Sequence, residues 1–373
     1  MRVLQINSYF AGSTFYADLY QELERLGVRE DIYVFTHRGN ELRQTFADNV
    51  LLQTPYVYLD RFVFPVKHGK VYRDITRELP LHEYEVSHAH SLFSNGYIAM
   101  RLKKEYGLPY IVTVRSSDIN TFFRYALHLH STGKEILEEA SRLVFVSAPH
   151  RDQLLQKYVS PEEASRFLEK SMVIPNGVNT YWREHMATPR KEVHDPVRLL
   201  FVGNINRNKN VLTTVKACEL LHRQGIDVQY TVIGEVIDQK IVTELKKKDY
   251  ISVLPFTDSK EDLRSSYRSH DIYVMPSKTE TFGISYVEAM SQGLPIIYSA
   301  GQGFDGHFAD GEVGFAVRHD RPDRIAANVL KILEDYPAFS ARAIRGVQEF
   351  YWENIALTLL TQYRQAAGHG RDV

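Results

Sequence analysis

With 373 residues, the chain is too long for one ordinary hydrophobic core, and two domains of roughly 150 to 200 residues are expected. Apolar residues make up 44% of the sequence and charged residues 24%, which is typical of a soluble globular protein. The formal net charge is −1, so the overall charge does not indicate a chain built to bind nucleic acid or another polyanion, and only a local cluster of charge is left as a signal for such a partner.

Cysteine content and hydropathy exclude further classes of protein and of binding site. Cys218 is the only cysteine, which excludes an internal disulfide and a cysteine-based zinc site. The amino-terminal "MRVLQINSYF" lacks a cleavage-site signature, and no apolar run approaches the 18 residues of a spanning helix. These features predict a cytoplasmic protein.

Strand and helix patterns alternate from the amino terminus onward. A strand at "RVLQIN" is followed by a helix at "STFYADLYQELERLG" and a strand at "DIYVF". The same alternation continues through "VSHAH", "NGYIAMRLKKEYG", "PYIVTV", "KEILEEAS", "RLVFVS" and "HRDQLLQKY". Short apolar strands between amphipathic helices indicate a parallel sheet covered on both faces, which is a doubly wound α/β domain.

A break follows "SMVIPNGVNTYW", where Pro175 and Asn176-Gly177 give a turn signal and the next residues are polar without periodicity. The alternation restarts at "VRLLFVG" and continues to "PIIYS". We therefore predict a first domain at 1–180, a linker at 181–195, a second doubly wound domain at 196–348 and a final helix at 349–373. Two such domains facing each other bind ligands at the carboxyl ends of their strands, so a cleft between them is the expected site.

Residues at two strand ends carry the candidate chemistry. Arg207 and Lys209 precede a predicted helix, and two cations beside free backbone N–H groups suit a diphosphate; a solvated basic turn is the alternative. Glu280 and Glu288 flank Phe-Gly in "SKTETFGISYVEAMSQGLP", and carboxylates accept hydrogen bonds from sugar hydroxyls. Anion-binding and hydroxyl-binding groups together describe a nucleotide sugar. Pairing of Glu288 within the fold is the alternative there.

The block "DIYVMPSKTETFGISYVEAMSQGLPII" resembles the signature of retaining glycosyltransferases of family 4, which have the GT-B fold. "RVLQIN", "SHAHSLFSNGYIAMRLKKEYGLPYIVTV", "VIPNGVN" and "FADGEVGFAV" resemble other parts of that family. "FYWENIALTLLTQY" is similar to its tail helix, which crosses back to the first domain. The resemblance covers nearly the whole chain.

Site roles follow from this resemblance, position by position. It implies that Glu288 accepts hydrogen bonds from the ribose hydroxyls and that Glu280 lies beside the donor sugar. It also implies that Arg207 and Lys209 bind the diphosphate. The remaining positions implied to line the donor, mostly through backbone, are Gly12, Gly234, Phe256, Phe282, Gly283 and Ile284.

The sequence departs from the family pattern in two places. Asn204 follows Gly203 where the family has GR, so Arg207 must substitute. Arg115-Ser116 replaces the usual histidine-glycine after the "VTV" strand, which puts the role of that histidine in doubt, although Arg115 is still suited to a sugar hydroxyl or a phosphate. His90, Ser116 and Asp118 are then expected on the acceptor side. A satisfied core histidine is the alternative for His90, and a helix cap for Asp118.

The resemblance implies transfer of a sugar from a nucleoside diphosphate, of the UDP or GDP type, to a carbohydrate or lipid-linked hydroxyl with retention, in polysaccharide or glycolipid synthesis. The sequence contains no Asp-x-Asp triplet, which fits a reaction without metal or other cofactor, in which Lys209 and Arg207 stabilise the departing diphosphate. Without a well-placed nucleophile, front-face displacement is expected, and Glu280 is not assigned as one.

Other interpretations stay open. A nucleotide-sugar epimerase of the same fold or a non-catalytic nucleotide-sugar-binding protein fits the pattern, whereas a nicotinamide oxidoreductase lacks its glycine-rich fingerprint. His88, His90, His128 and His130 form a histidine cluster without the partners of a metal site. Residues 61–77 contain five Lys or Arg, which fits either a solvated helix face or a patch touching anionic lipid.

Overall fold

The computed structural model describes residues 1–40 and 47–368, which form two compact units. Unit 1 runs from Met1 to Pro175 and resumes at Trp352, and unit 2 runs from Asn176 to Tyr351. The boundary between the units therefore lies between Pro175 and Asn176, earlier than the predicted end of the first domain at residue 180. The predicted linker 181–195 lies inside unit 2.

Unit 1 contains a parallel sheet of seven strands within the described residues. The strands are β1 (Arg2–Ile6), β2 (Arg29–His37), β3 (Val50–Tyr56), β4 (Val86–Ala89), β5 (Tyr110–Val114), β6 (Arg142–Phe145) and β7 (Ser171–Val173). The helices are α1 (Ala17–Arg25), α2 (Phe64–Glu78), α3 (Tyr97–Tyr106), α4 (His130–Glu139), α5 (Ala148–Lys157) and α6 (Pro161–Glu169). Short 3-10 helices span Ser8–Ala11, Thr14–Tyr16, Tyr58–Phe62, Leu81–Glu83 and Leu127–Leu129, and π-helical turns span Leu92–Gly96 and Asp118–Phe123.

The strand order in unit 1 is β3-β2-β1-β4-β5-β6-β7. The chain adds strands outward in one direction from β1 and then in the other direction from β4. Every residue of β4 and of β5 is buried, as expected when helices cover both faces of a parallel sheet. The reversal leaves a crevice beyond the carboxyl ends of β1 and β4.

Unit 2 repeats the architecture with a sheet of six parallel strands among its described residues, in the order β10-β9-β8-β11-β12-β13. The strands are β8 (Val197–Val202), β9 (Val228–Ile233), β10 (Ile251–Leu254), β11 (Ile272–Val274), β12 (Ile296–Ser299) and β13 (Gly314–Val317). The helices are α7 (Thr180–Glu184), α8 (Val211–Arg223), α9 (Gln239–Leu245), α10 (Lys260–Arg268), α11 (Ile284–Ser291), α12 (Pro322–Glu334) and α13 (Tyr336–Gly346), and a 3-10 turn spans Val347–Phe350. The reversal here lies between β8 and β11.

The segment predicted as a linker is bound tightly into unit 2. It begins within α7, where Trp182 is 1% exposed. Further on, the Arg190 N–H donates to Ser340 Oγ at 2.8 Å, and the guanidinium donates to the carbonyl of Tyr267 at 3.2 Å. Arg190, one of the polar residues that made this segment look like a linker, is therefore a group that attaches it to unit 2, which periodicity alone does not reveal.

The last helix, α14 (Trp352–Ala366), returns to unit 1 and packs against α1. Tyr351 is extended and separates it from the preceding 3-10 turn, so the long carboxy-terminal helix predicted from sequence is broken there. Fully buried Tyr363 anchors α14, since its hydroxyl lies 2.8 Å from His88 Nδ1 and accepts from Gln5 Nε2 at 3.1 Å. No helix of the described chain has the length and apolarity needed to cross a bilayer.

Removal of the Tyr363 hydroxyl should weaken this docking. We expect Tyr363→Phe to lower the free energy of unfolding of unit 1 by about 1–3 kcal/mol, because it leaves the buried His88 and Gln5 with a lost partner. Denaturant unfolding measures the change. Tyr106→Phe, on a side chain 53% exposed, is the matched control and should change little. Equal stability of the two variants would contradict the anchoring role.

Candidate active site

In unit 2, two loops lie at the point where the strand order reverses. Residues 203–210 connect β8 to α8, and residues 275–283 connect β11 to α11. Since β8 and β11 are hydrogen-bonded neighbours in the sheet, their carboxyl ends bring these loops side by side. The sequence-predicted residues Arg207, Lys209 and Glu280 all lie on these two loops.

Asn208, which the sequence analysis did not single out, ties the two loops together. Its Nδ2 donates to the Thr279 carbonyl at 2.8 Å, while its Oδ1 accepts from the Thr279 N–H at 3.0 Å and from Thr279 Oγ1 at 2.7 Å. The Lys278 N–H donates to the Asn208 carbonyl at 2.8 Å. An asparagine in a loop just before a helix is a weak signal, because the partner loop is 71 residues away in sequence.

Lys209 and Glu280 form an ion pair across these loops. Lys209 Nζ lies 2.5 Å from Glu280 Oε2, and the two side chains are only 20% and 10% exposed. Ser277 Oγ and the Thr281 N–H also donate to the Glu280 carboxylate, at 3.3 and 3.1 Å. The structure thus joins two residues that the sequence placed in separate motifs.

Arg207 has a different environment from Lys209. Its side chain is 79% exposed, and its Nε lies 3.2 Å from Asp238 Oδ2. It borders a cavity of about 240 Å³ at the start of α8, together with Lys240 and Lys278. The pair with Asp238 is a surface ion pair, which contributes little stability and leaves the guanidinium able to move.

The loop after β11 presents backbone donors. Among the described residues, no acceptor is bonded to the N–H groups of Phe282, Gly283 and Ile284. Gly283 has φ +84°, and a Cβ there would meet the Tyr286 ring at 2.5 Å. The Phe282 side chain is buried against Phe304 and Phe350, so only its backbone is available to a ligand.

Gly234 and Phe256 follow the next two strands, as predicted. Gly234 comes directly after β9, and a Cβ there would lie 1.9 Å from the carbonyl oxygen of Gly203. Position 234 therefore requires a glycine because two strand ends approach each other closely, and no ligand is needed to explain the residue. Phe256 follows β10 and its side chain is 58% exposed, a large aromatic surface beside the same edge of the sheet.

Glu288 lies on α11 and accepts a hydrogen bond from the Tyr267 hydroxyl at 2.9 Å. Burial raises the pKa of Glu288, while hydrogen bonds from Tyr267 and Trp182 lower it. Burial likewise raises the pKa of the Tyr273 hydroxyl, and the charges of Glu280 and Glu288 raise it further, so both carboxylates lie near this hydroxyl. Pairing of Glu288 within the fold therefore occurs.

In unit 1, Gly12 follows β1 and His90 follows β4, on either side of the reversal. A Cβ at Gly12 would meet nothing within 4 Å and φ is −117°, so the fold itself does not require this glycine. His90 is 1% exposed and its Nε2 lies 2.8 Å from Gln5 Oε1. That is the environment of a satisfied core histidine; an acceptor-side role for His90 stays a prediction.

Arg115 and Asp118 are fixed at the end of β5. The Arg115 guanidinium donates to the His90 carbonyl at 3.0 Å and to the Tyr16 hydroxyl. The Asp118 carboxylate accepts from the backbone N–H groups of Arg115 (2.8 Å), Leu92 (3.0 Å) and Phe93 (3.3 Å). Ser116, 8% exposed, accepts from Asn120 Nδ2 at 3.1 Å. Asp118 therefore binds the first two N–H groups of the helical turn that begins at Leu92, while the N-cap residue of that turn is Ser91.

The histidine cluster contacts protein groups instead of forming a cage. His88 Nε2 lies 2.8 Å from Thr113 Oγ1, and His130 Nε2 lies 2.6 Å from the Phe123 carbonyl. Within residues 1–40 and 47–368, no three His, Cys, Asp or Glu side chains are arranged to hold a metal ion.

Two family models match this chain. The model described as glycosyltransferase family 4 matches residues 12–182, and the model described as glycosyl transferases group 1 matches residues 183–349. Together they account for both units, and the chain belongs to the group 1, family 4 glycosyltransferases, whose fold is GT-B. It is a glycosyltransferase, as the signature around Glu280 and Glu288 implied.

Similar proteins agree with this assignment. The chain is 26% identical over 306 residues to the D-inositol 3-phosphate glycosyltransferase of Paenarthrobacter aurescens, covering 76% of this chain and 73% of that protein. Its fold is similar to sucrose-phosphate synthase from Thermosynechococcus elongatus, with a TM-score of 0.74 at 20% identity over 99% and 100% of the two chains. It is also similar to Anabaena HepE solved with UDP and glucose, with a TM-score of 0.66 at 16% identity over 98% and 100%.

The buried Asp118 should make stability depend on pH. Burial raises its pKa from 3.8 to about 6, so its stabilising contribution is complete below pH 4 and is lost as the pH rises through 6. The unfolding free energy of the wild type relative to Asp118→Asn should therefore fall by about 3 kcal/mol between pH 4 and 7. Urea unfolding at several pH values measures it. A difference that rises with pH would contradict the assignment.

Proposed function

We propose that this glycosyltransferase moves a sugar from a nucleoside diphosphate to a hydroxyl acceptor, with retention at the anomeric carbon and without a metal ion. The observation that carries the proposal is the Lys209–Glu280 pair at the strand reversal of unit 2, beside the unbonded N–H groups of Phe282, Gly283 and Ile284. The resemblance to HepE, which was solved with UDP and glucose, supports this class of donor.

Lys209 is suited to hold the diphosphate. An ammonium group has three N–H donors, and here one is bonded to Glu280 while Met275 Sδ, a weak acceptor, lies 3.6 Å away. A phosphate oxygen can therefore bind without displacing Glu280. Glu280 would in turn keep Lys209 oriented and accept from a hydroxyl of the donor sugar.

Arg207 supplies the second cation. Its exposed ion pair with Asp238 costs little to break, so the guanidinium can turn to the diphosphate when the donor binds. The N–H groups of residues 282–284 at the start of α11 would add neutral donors and the positive end of a helix dipole. All of these groups favour negative charge on the departing diphosphate, which is the charge that develops in the transition state.

Glu288 would recognise the ribose. Hydrogen bonds from Tyr267 and Trp182 fix the direction of its side chain, and because a carboxylate has about four lone-pair sites, two are left for the ribose hydroxyls. The base would lie along the backbone after β9 and β10, near Gly234 and Phe256. The expected donor is a nucleotide sugar of the UDP or the GDP type.

The reaction is proposed to occur on one face of the sugar. The Glu280 carboxylate already accepts from Lys209, Ser277 and Thr281, so it is poorly suited to attack the anomeric carbon. The acceptor hydroxyl would attack from the side on which the diphosphate leaves, and a phosphate oxygen would take its proton.

Acceptor binding is assigned to unit 1, with Arg115, Ser116 and Asp118 at the end of β5, for a carbohydrate or lipid-linked acceptor. No observation on the described residues favours the epimerase or the non-catalytic protein.

Donor binding can be tested by a thermal-shift panel of UDP, GDP, ADP, their common sugar conjugates and NAD. One nucleoside diphosphate present at 100 times its dissociation constant should stabilise the wild type by about 2.7 kcal/mol. Lys209→Ala removes a charged hydrogen bond and should weaken binding by roughly ten- to a hundredfold. Glu288→Gln should weaken binding by roughly tenfold, because it leaves one acceptor for two hydroxyls.

Lys248→Ala is the matched control, since Lys248 also forms an ion pair, with Glu219 at 2.7 Å, but lies away from the reversal point. It should bind the donor like the wild type. A shift with NAD alone, or equal loss in Lys248→Ala and Lys209→Ala, would overturn the donor assignment.

Stereochemistry and metal dependence are tested together once the donor is known. NMR of the product formed from an α-linked donor should show an α-linkage, because attack and departure share one face. Activity should be unchanged after dialysis against EDTA, since Lys209 and Arg207 take the place of a metal ion. A β-linked product would exclude retention, and activity that is lost with EDTA and restored by Mg²⁺ or Mn²⁺ would exclude the metal-independent reaction.

A further inference from the structure

An exposed apolar ridge projects from unit 1. It lies on the 3-10 helix Tyr58–Phe62, its flanking residues and the start of α2. Leu59 and Phe62 are 73% and 71% exposed, values unusual for such large apolar side chains in a soluble protein. In the described part of the chain, no other stretch of ten consecutive residues contains as many exposed large apolar side chains. The members of the ridge are Val57, Tyr58, Leu59, Phe62, Val63 and Val66.

A cationic cavity adjoins this ridge. Its volume is about 430 Å³, and its charged lining consists of four cations and the carboxylate of Asp74. Asp74 is already bonded, to the Tyr33 hydroxyl at 2.7 Å and to Arg77 at 2.9 Å. The cavity is therefore positive overall and suited to an anion. The four cations are Arg38, Lys70, Arg73 and Arg77.

The ridge and the cavity form one continuous surface. Lys70, from the cavity, lies 2.6 Å from Asp60, in the middle of the 3-10 helix that bears the ridge. The His37 ring contacts Tyr58 with 5.3 Å between ring centroids, and Arg38 is the next residue. Arg61 places a further cation among the aromatic rings, 5.0 Å from the Tyr58 centroid.

The net charge on this surface is positive. Residues 57–77 contain five Lys or Arg and two Asp, and both aspartates are paired with cations, Asp60 with Lys70 and Asp74 with Arg77. Arg38 adds a sixth cation. A second copy of the same surface would therefore be repelled, and a partner must offer negative charge beside an apolar layer.

We propose that the ridge and the cationic cavity are a docking surface for an anionic phospholipid bilayer. The apolar side chains of the ridge would enter the boundary between headgroups and acyl chains, where aromatic and aliphatic groups are stable. The cations of the cavity would bind headgroup phosphates, each contributing by attraction to the negative surface. The solvated helix face considered from the sequence leaves the exposure of Leu59 and Phe62 unexplained.

Flotation with vesicles tests the surface without any donor or acceptor, so its result is separate from that of the proposed function. The full-length protein should bind vesicles containing phosphatidylglycerol and phosphatidylcholine, and bind pure phosphatidylcholine much more weakly. The double variant Leu59→Ser/Phe62→Ser should weaken binding by at least roughly tenfold, because it removes the inserted apolar groups. Arg38→Gln/Arg73→Gln should weaken it by roughly fivefold per cation, and chiefly on anionic vesicles.

Leu168→Ser and Arg166→Gln on α6 are matched controls, since Leu168 is 50% exposed and the Arg166 side chain 54% exposed on the same unit. Both should bind vesicles like the wild type, and all variants should keep the wild-type circular dichroism spectrum. Lack of wild-type binding to anionic vesicles, or equal binding by wild type and Leu59→Ser/Phe62→Ser, would overturn the proposal.

Two other occupants are distinguished in the same series. If glycerol phosphate displaced the protein from vesicles at constant ionic strength while the ridge variant bound normally, the cavity would be a site for a soluble phosphate, and the bilayer assignment would be wrong. If Leu59→Ser/Phe62→Ser converted a dimer to a monomer in size-exclusion chromatography, the ridge would be covered by a second copy, which also overturns it.

Discussion

A parallel sheet cannot connect neighbouring strands by a short turn, and this constraint shapes both units of the protein. Every connection must cross over a face of the sheet, so each unit builds strands outward in one direction and then in the other. The reversal falls between β1 and β4 in unit 1 and between β8 and β11 in unit 2. Loops at these two places are not covered by a crossover helix, and the candidate site residues of each unit gather around them.

In unit 2 the reversal also explains why charged groups can be partly buried at low cost. The loops 203–210 and 275–283 meet because their strands are neighbours. Asn208 joins the two loops through hydrogen bonds of its side-chain amide nitrogen and oxygen and of its backbone carbonyl. Within this frame Lys209 and Glu280 satisfy each other at 2.5 Å, so neither charge is left alone. A pair fixed in this way is already oriented before a ligand arrives, which reduces the ordering that binding requires.

Unit 1 holds its polar residues differently. Its reversal point is lined by a buried network in which His90 contacts Gln5, Gln5 contacts Tyr363, and Arg115 donates to the His90 carbonyl. Tyr363 comes from α14, so the last helix of the chain supports groups that lie near the ends of β1, β4 and β5. The arginine that replaces the usual family histidine is thus held by residues from distant parts of the sequence, and Asp118 closes the same loop by accepting three backbone N–H groups.

The sequence by itself determined the fold class, the two-unit repeat and the family, because strand and helix periodicity and the block around Glu280 and Glu288 are local in the chain. It also placed Arg207 and Lys209 before a helix. Only the tertiary structure decided that Lys209 pairs with Glu280 while Arg207 pairs with Asp238, and that Asn208 joins the loops. It also decided that residues 181–195 belong to unit 2 and that Leu59 and Phe62 are exposed. The physical reason is that pairing and burial depend on which strand ends become neighbours, and those neighbours are often about 70 residues or more apart in the chain.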